Sequence, residues 1–395
     1  MGLKRFVFGL LLCFLLAGGT AFAQEAQDIT KQCKIKCSES KYIQKYIKDR
    51  KYDTEWASRK EAEPWIHVTA PEGALCSGVY ICFSAKEPIP WKVQVPQGDG
   101  WATIARGAGK YLHEYAALPD VSVFRITTDT GDAAQLRVAE LYVLGEGDLP
   151  GWVQIWEPTP QKADILLLIA HPDDEYVFFG GLLPDYAVER GCSVVVALMT
   201  AYDFQRVAEL LNGLWRCGVR TYPSIGRFTD RFSKSAKDAY RICGGKEAVQ
   251  RYVIALFRKY RPEVVVTHDL KGEYGHGMHM ACADASLACA AFAADPAQDT
   301  ESAESYGVWQ IRKLYLHLYP DRPIHMDWEK PLSAFGGQTG REAANEALKC
   351  HTSQQGTSFT AVYPAGHKYS ASDFGLAFST VGEDRLKNDF LENIP

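Results

Sequence analysis

The stretch Asp164-Ile165-Leu166-Leu167-Leu168-Ile169-Ala170-His171-Pro172-Asp173-Asp174-Glu175 decides the fold of the longer half of this chain. Ile165 to Ile169 is an unbroken apolar run with no polar alternation. It reads as a strand buried on both faces, of the kind found in a parallel sheet covered by helices. In an open α/β sheet, ligands bind just past the carboxyl ends of such strands. Here that position holds one His and two Asp. Adjacent carboxylates are costly unless positive charge stands beside them, and a divalent metal would supply it.

Working outward, apolar strands alternate with helical patterns. A helix follows the first strand and ends near Arg190-Gly191, and Ser193 to Met199 is the second strand. Phe204 to Cys217 carries Val207, Leu210, Leu211 and Leu214 on one helical stripe. Lys246 to Tyr260 repeats that pattern until Arg261-Pro262 stops it. Val264 to Thr267 is another buried strand, an Ala-rich helix covers about Met278 to Phe292, Leu314 to Leu318 is a further strand, and Arg341 to Cys350 is a last helix. The alternation predicts a Rossmann-like parallel sheet over residues 159–395. No Gly-x-Gly-x-x-Gly follows the first strand, so a dinucleotide site is not supported.

A second cluster of candidate ligands follows Val264-Val265-Val266-Thr267. It reads His268-Asp269-Leu270-Lys271-Gly272-Glu273-Tyr274-Gly275-His276-Gly277-Met278-His279. His276 and His279 are three apart and share a face on a first helical turn. If the two strands are neighbours, His171, Asp174 and His279 converge, and two imidazoles with one carboxylate and an open position form a catalytic zinc set. Taken singly, each piece has an ordinary structural reading: Asp173 or Asp174 could simply cap a helix. Two such clusters, each past a parallel strand, favour a site.

The amino-terminal half has a different texture. Lys4 and Arg5 precede an apolar run from Phe6 to Ala17 and then Ala21-Phe22-Ala23, the layout of a cleaved secretory signal over residues 1–23. The run is shorter than the roughly 20 residues a membrane-spanning helix needs, and no later segment is apolar enough to span. The expected location is therefore secreted or extracytoplasmic, with no membrane span after signal removal. The 395-residue chain has a net charge of −5, which moves to −7 once Lys4 and Arg5 are removed. With no basic block, nothing recommends a nucleic-acid partner. Of the eleven cysteines, Cys13 lies in the leader; an even number remains, which in an exported chain suggests disulfides. From Trp65 onward, short β-type runs (Trp65 to Val68, Val79 to Phe83, Trp91 to Val95, Trp101 to Arg106, Val121 to Thr127, Leu136 to Leu144) are separated by Gly, Pro and Asp clusters. That pattern argues for a β-sandwich over residues 24–158. Trp152 to Trp156 reads as a last strand or as a strut between the domains.

On these residues two resemblances can be named. Lys51 to Trp56, Val123 to Ile126 and Val138 to Val143 resemble segments of the discoidin-like, galactose-binding-type sandwich. That resemblance implies glycan binding through loop aromatics or a plain scaffold, and it assigns no ligand residues. Ala170-His171-Pro172-Asp173-Asp174-Glu175, Arg206-x-x-Glu209 followed by Gly213 and Gly218, and Gly272-Glu273-Tyr274-Gly275-His276-x-x-His279 resemble the LmbE/PIG-L family of zinc-dependent N-acetylglucosaminyl deacetylases. Carried over residue by residue, this implies one Zn2+, or another divalent transition metal, on His171, Asp174 and His279. It implies Asp173 as general base, His276 at the acetyl carbonyl or oxyanion, and Arg206 toward the sugar. Gly277-Met278 departs from the Pro-Asp that many bacterial members carry between the two His. The carboxylate behind a metal-bound imidazole must then come from elsewhere, with Glu175 and Asp269 as candidates. Tyr274, His317, Tyr369, Asp230 and Asp238 stand near these motifs without an assigned role. The substrate implied is an N-acetylated extracytoplasmic glycan. Alternatives are a glycan-binding protein with an inactive deacetylase-like domain, or a zinc hydrolase of another amide. A glycoside hydrolase is disfavoured because adjacent Asp173 and Asp174 cannot flank a bond, and a common metalloprotease because there is no His-Glu-x-x-His.

Overall fold

The computed structural model describes residues 24–38, 44–85, 87–200 and 203–395; the leader expected over 1–23, with Cys13, lies outside them. The first half is built of β1 (Lys34–Cys37), β2 (Trp56–Ala57), β3 (Trp65–Thr69), β4 (Cys76–Phe83), β5 (Trp91–Gln97), β6 (Gly100–Gly107), β7 (His113–Val121), β8 (Val123–Thr128) and β9 (Arg137–Leu144). A five-stranded sheet in the order β1-β3-β8-β5-β6 faces a four-stranded sheet in the order β2-β9-β4-β7. Alternation does this: in β3, Ile66 and Val68 point inward while Trp65, His67 and Thr69 are half-buried. Ile66, Phe124, Ile126 and Val93 of one sheet share a core with Val79, Ile81, Leu141 and Val143 of the other. That is a β-sandwich. Strand β7, HEYAALPDV, was not foreseen, because its acids and Pro119 break the apolar pattern. The structure tolerates them because β7 lies at a sheet edge.

The second half contains β10 (Ile165–Ile169), β11 (Val194–Thr200), β12 (Ser224–Phe228), β13 (Val264–Thr267), β14 (Lys313–His317), β15 (Pro323–His325) and β16 (Asp373–Ser379). Its sheet order is β12-β11-β10-β13-β14-β16-β15. The first five of these strands run parallel, and β16 and β15 add an antiparallel edge. The helices are α1 (Asp174–Val177), α2 (Phe204–Cys217), α3 (Ala236–Ile242), α4 (Lys246–Tyr260), α5 (Gly277–Phe292), α6 (Thr300–Tyr306) and α7 (Gly340–Leu348). Side chains of β10 divide between two layers. Leu166 and Leu168 pack with Val253, Phe257 and Ala281 of α4 and α5, while Ile165, Leu167 and Ile169 pack with Leu210, Leu214 and Ala347 of α2 and α7. The apolar run therefore serves two cores, one on each face.

Two expectations need correction, and one pair of alternatives is decided. The helix after β10 is not continuous: α1 is a single turn, and a π-helical segment resumes at Leu183–Glu189. Gly180 and Gly181 lie between, against the indole of Trp328; a Cβ on either would approach that ring to 2.8–2.9 Å. Trp152 to Trp156 forms no strand. Its Val153 and Trp156 are buried and join the halves as a strut, Trp156 meeting Trp215 and Tyr222 at 5.5 and 5.6 Å. The expected disulfides are not formed: ten cysteines from Cys33 to Cys350 carry free thiols. Most are buried as small apolar residues, such as Cys282, whose sulfur lies 3.3 Å from Thr267 Oγ1.

Candidate metal and active site

Strands β10 and β13 are hydrogen-bonded neighbours at the centre of the sheet, so the loops that leave their carboxyl ends meet. His171, Asp174 and His279 are buried side by side. His279 Nε2 lies 3.2 Å from His171 Nδ1, His171 Nδ1 lies 3.3 Å from Asp174 Oδ2, and His279 Nε2 lies 3.4 Å from Asp174 Oδ1. A tetrahedral zinc with bonds near 2.0–2.1 Å holds its ligand atoms about 3.3 Å apart, the spacing of these contacts, in which Asp174 meets one imidazole with each of its oxygens. His171 Nε2 has no hydrogen-bond partner and faces Asp230 Oδ1 at 3.5 Å. If Nδ1 is the ligand atom, Nε2 keeps its proton toward that carboxylate.

Two more imidazoles crowd the cluster, giving the sets His171-His276-His279 and Asp174-His268-His279. Their lone pairs are already used. His268 Nε2 accepts the Ala170 N–H at 3.0 Å. His276 caps α5, its Nδ1 accepting the Met278 N–H at 3.3 Å. Burial, with His171 and His279 alongside, pushes His276 down to about 3. It is thus neutral with its proton on Nε2, which makes it a hydrogen-bond donor and not a ligand. His171, Asp174 and His279 are left with donors free.

Behind His279 stands a carboxylate that was not anticipated. The Glu273 side chain, fully buried, takes the His279 Nδ1–H at 2.6 Å, which fixes the tautomer and turns the bare Nε2 into the cluster. Its other oxygen is 3.1 Å from His268 Nδ1, 3.0 Å from His317 Nδ1 and 3.1 Å from the Asp269 N–H. Glu175 and Asp269 do not fill this place. Glu175 is held instead by His351 Nε2 at 2.7 Å, with both side chains fully buried, and receives the Asp173 N–H at 2.8 Å.

Asp173 stands at the N-cap position of α1 but caps nothing with its side chain. Its backbone is left-handed, φ 108°, a conformation that costs a non-glycine residue of order 1–3 kcal/mol. The carboxylate turns to Arg206, whose Nη2 donates to Oδ1 at 3.0 Å; the same guanidinium grips the Pro172 carbonyl and reaches Asp230 Oδ2 at 3.4 Å. Burial, together with the neighbouring Asp174, pushes Asp173 up to about 7, and Arg206 only partly opposes this. Against the push of burial, the imidazoles of His279 and His268, with that of His171, hold the Asp174 carboxyl well below the usual carboxylate range; the His171 N–H also lies 2.8 Å from Asp174 Oδ2.

The cluster floors a cavity of about 240 Å3 whose walls include Arg206, Asp230, Phe232, Tyr274, Gln354 and Phe359. Glu209 explains how the last two arrive. It is buried, and accepts Thr352 Oγ1 at 2.7 Å, Ser353 N at 2.8 Å and Ser353 Oγ at 2.6 Å. That clamps the turn after α7 over α2. Gly213 lets the two approach, since a Cβ there would sit 3.3 Å from the Ala347 carbonyl and from His351 Nε2. Of the residues without an assigned role, Tyr274 and Asp230 line the cavity, His317 supports Glu273, and Tyr369 packs on Phe359 at 5.9 Å. Asp238 belongs to the exposed start of α3, bonded to Ser235.

The family profile described as PIG-L: GlcNAc-PI de-N-acetylase matches residues 166–290. Those residues form a PIG-L/LmbE-family domain. The match covers β10 from Leu166 onward, β11, β13 and most of α5, and so includes both ligand loops of this PIG-L domain. A 1D-myo-inositol 2-acetamido-2-deoxy-alpha-D-glucopyranoside deacetylase of Rhodococcus erythropolis is 33% identical over 189 residues, covering 40% of this chain and 61% of the relative. One from Catenulispora acidiphila is 30% identical over 193 residues, covering 41% and 58%. The chain thus spans about three fifths of the length of these relatives. Among solved structures, N,N'-diacetylchitobiose deacetylase from Pyrococcus horikoshii is 17% identical, covering 49% of this chain and 71% of that one, with a TM-score of 0.35. A family 32 carbohydrate-binding module of Clostridium perfringens in complex with galactose is 12% identical, covering 29% and 94%, with a TM-score of 0.25.

Proposed function

We propose that this chain is a metal-dependent hydrolase that removes the acetyl group from an N-acetylated amino sugar of the N-acetylglucosamine type. The observation that carries the reading is the set of three contacts of 3.2–3.4 Å among His171, Asp174 and His279, with the Asp173 carboxylate beside them and bonded elsewhere. Membership of residues 166–290 in the PIG-L family supports the same reaction class, as do the deacetylase names of the relatives. His171, Asp174 and His279 would hold one divalent ion, zinc by the nitrogen-rich donor set. When bound, such an ion makes water a nucleophile at neutral pH and polarises a carbonyl.

The remaining chemistry belongs to side chains of this chain. Asp173, whose carboxyl is raised to about 7, is poised to take a proton from the attacking water at Oδ2 and return it to the departing amine nitrogen. Its Oδ1 stays with Arg206, which keeps the carboxylate aimed. His276 donates its Nε2–H to the oxygen that becomes negative as the acetyl carbon turns tetrahedral; losing one such donor costs about 3–4 kcal/mol of barrier. Proton and carbon balance: water adds its oxygen to the acetyl carbon, the C–N bond breaks, and acetate and a free amine leave.

The experiment is Asp173→Asn. Metal content should stay at the parental level while acetate release falls by about two to four orders of magnitude, the range that general acid–base groups supply. Parental turnover in that variant would remove Asp173 from the role. We place the reaction outside the cytoplasm, on the strength of the signal-like residues 1–23, with residues 24–158 as a glycan-contacting sandwich and 159–395 as the hydrolase. Amino-terminal sequencing of the exported protein, beginning at Gln24, is the corresponding check.

A further inference from the structure

The cavity above the ligand cluster, about 240 Å3, is smaller than the roughly 300–1,000 Å3 that enclose drug-sized ligands. It takes the reacting end of one amino sugar, and whatever that sugar is attached to must lie on the rim. The rim is aromatic. Phe232 and Tyr274, 61% and 39% exposed, are among the most exposed large apolar side chains described, and both border this cavity. Each stands against His276, with ring centres 5.1 and 5.7 Å away. Phe359 backs Tyr274 at 4.4 Å. The segment that carries Phe359 is fixed before the ring by the Glu209 clamp and after it by the Val362 N–H on Asn345 Oδ1 at 2.9 Å.

We propose that Phe232, Tyr274 and Phe359 form a platform for the sugar next to the one that is deacetylated, so that the site takes an N-acetylated oligosaccharide in preference to a free amino sugar. The chemistry rests on the deacetylase reading; the platform rests on its own geometry. A pyranose offers C–H faces to aromatic rings and hydroxyls to polar groups around them, and Gln354, Thr357 and Asp230 stand in the same wall. Charge narrows the class. Among the described residues Arg206 is the one lysine or arginine on the cavity wall, and Asp173 and Asp230 already engage it. A phosphorylated or otherwise anionic attachment would meet acids, whereas a neutral sugar meets rings and hydrogen-bonding groups.

Acetate release from N-acetylglucosamine and from tetra-N-acetylchitotetraose is compared for the parent, Phe232→Ala and Phe359→Ala, and the affinity of each protein for the glucosamine tetrasaccharide is read by calorimetry. The parent should prefer the tetrasaccharide by about tenfold or more in kcat/KM, and either variant should bring that preference within about threefold, with a matching rise in the tetrasaccharide Kd. Equal kcat/KM on both sugars in the parent overturns the platform, and so does a preference or a Kd that the variants leave unchanged. If no protein releases acetate from either sugar but the Kd still rises in the variants, the deacetylase reading fails and the platform stands.

Discussion

Glu273 organises the site more than any residue that would touch a metal. Its two oxygens order His268, His279 and His317 through contacts of 3.1, 2.6 and 3.0 Å. It reaches them because its own backbone is left-handed, φ 53°, which folds the loop back beneath α5. Spacing in the sequence carries no sign of that turn. Glu175 and Asp269 looked like better partners because each adjoins a ligand loop, yet both carboxylates point to other neighbours. A Glu273→Gln change keeps the size of the side chain and removes the charge that fixes the His279 tautomer. Metal affinity should fall by about 10–100-fold, the usual effect of losing such a partner, as read by competition with a coloured chelator. An unchanged affinity would mean that His279 is oriented by packing alone.

At the scale of elements, periodicity was readable wherever a helix presents one apolar stripe to one layer. Phe204–Cys217 and Lys246–Tyr260 are such helices and occur at their expected limits. What escaped was short or set by contacts far along the chain: β12 at the sheet edge, the one-turn α1 broken by Gly180-Gly181 under Trp328, and the antiparallel β16. The site followed the same rule. His171, Asp173, Asp174, His276 and His279 stand in two compact motifs past parallel strands, and the structure brings all five together. The wall made by Gln354, Thr357 and Phe359 comes from a segment without a motif, delivered by Glu209 from a helix more than 140 residues earlier. Glu209→Ala strands the hydroxyls of Thr352 and Ser353 and the Ser353 N–H, and should cost on the order of 3 kcal/mol, given about 1.5–3 kcal/mol for a hydrogen bond to a charged group. Denaturant unfolding measures the loss. Hydrogen exchange should quicken mainly across residues 352–362. Exchange that quickens evenly through the domain would contradict the clamp.

The two halves of the molecule are joined by a polar and aromatic interface, not by a loose tether. Leu112 N donates to Tyr222 Oη at 3.1 Å, Tyr111 and Tyr222 lie 4.7 Å apart, and Gln154 bonds Asn212 Oδ1 at 2.7 Å. One hydrophobic cluster runs from Trp91 of the sandwich through Trp156 to Leu210 of α2. In the same interface His113 is buried, with Nδ1 2.8 Å from Gln154 Oε1 and Nε2 without any partner. Burial pushes this imidazole from its ordinary 6.5 down to about 4, although Gln154 favours the protonated form. The sign of the linkage follows. Between pH 6.5 and 4 the unfolded chain binds a proton at His113 that the folded chain refuses, so stability falls as pH drops through that window and is fully present above it. A shift of that size corresponds to on the order of 3 kcal/mol at 1.36 kcal/mol per pKa unit. Replacing His113 with Gln removes the titrating group while keeping an amide toward Gln154. The variant should show a flatter dependence of unfolding free energy on pH between 6.5 and 4 than the parent, with the two curves parallel above pH 7. Parallel curves through the acid window as well would mean that the interface opens before His113 titrates.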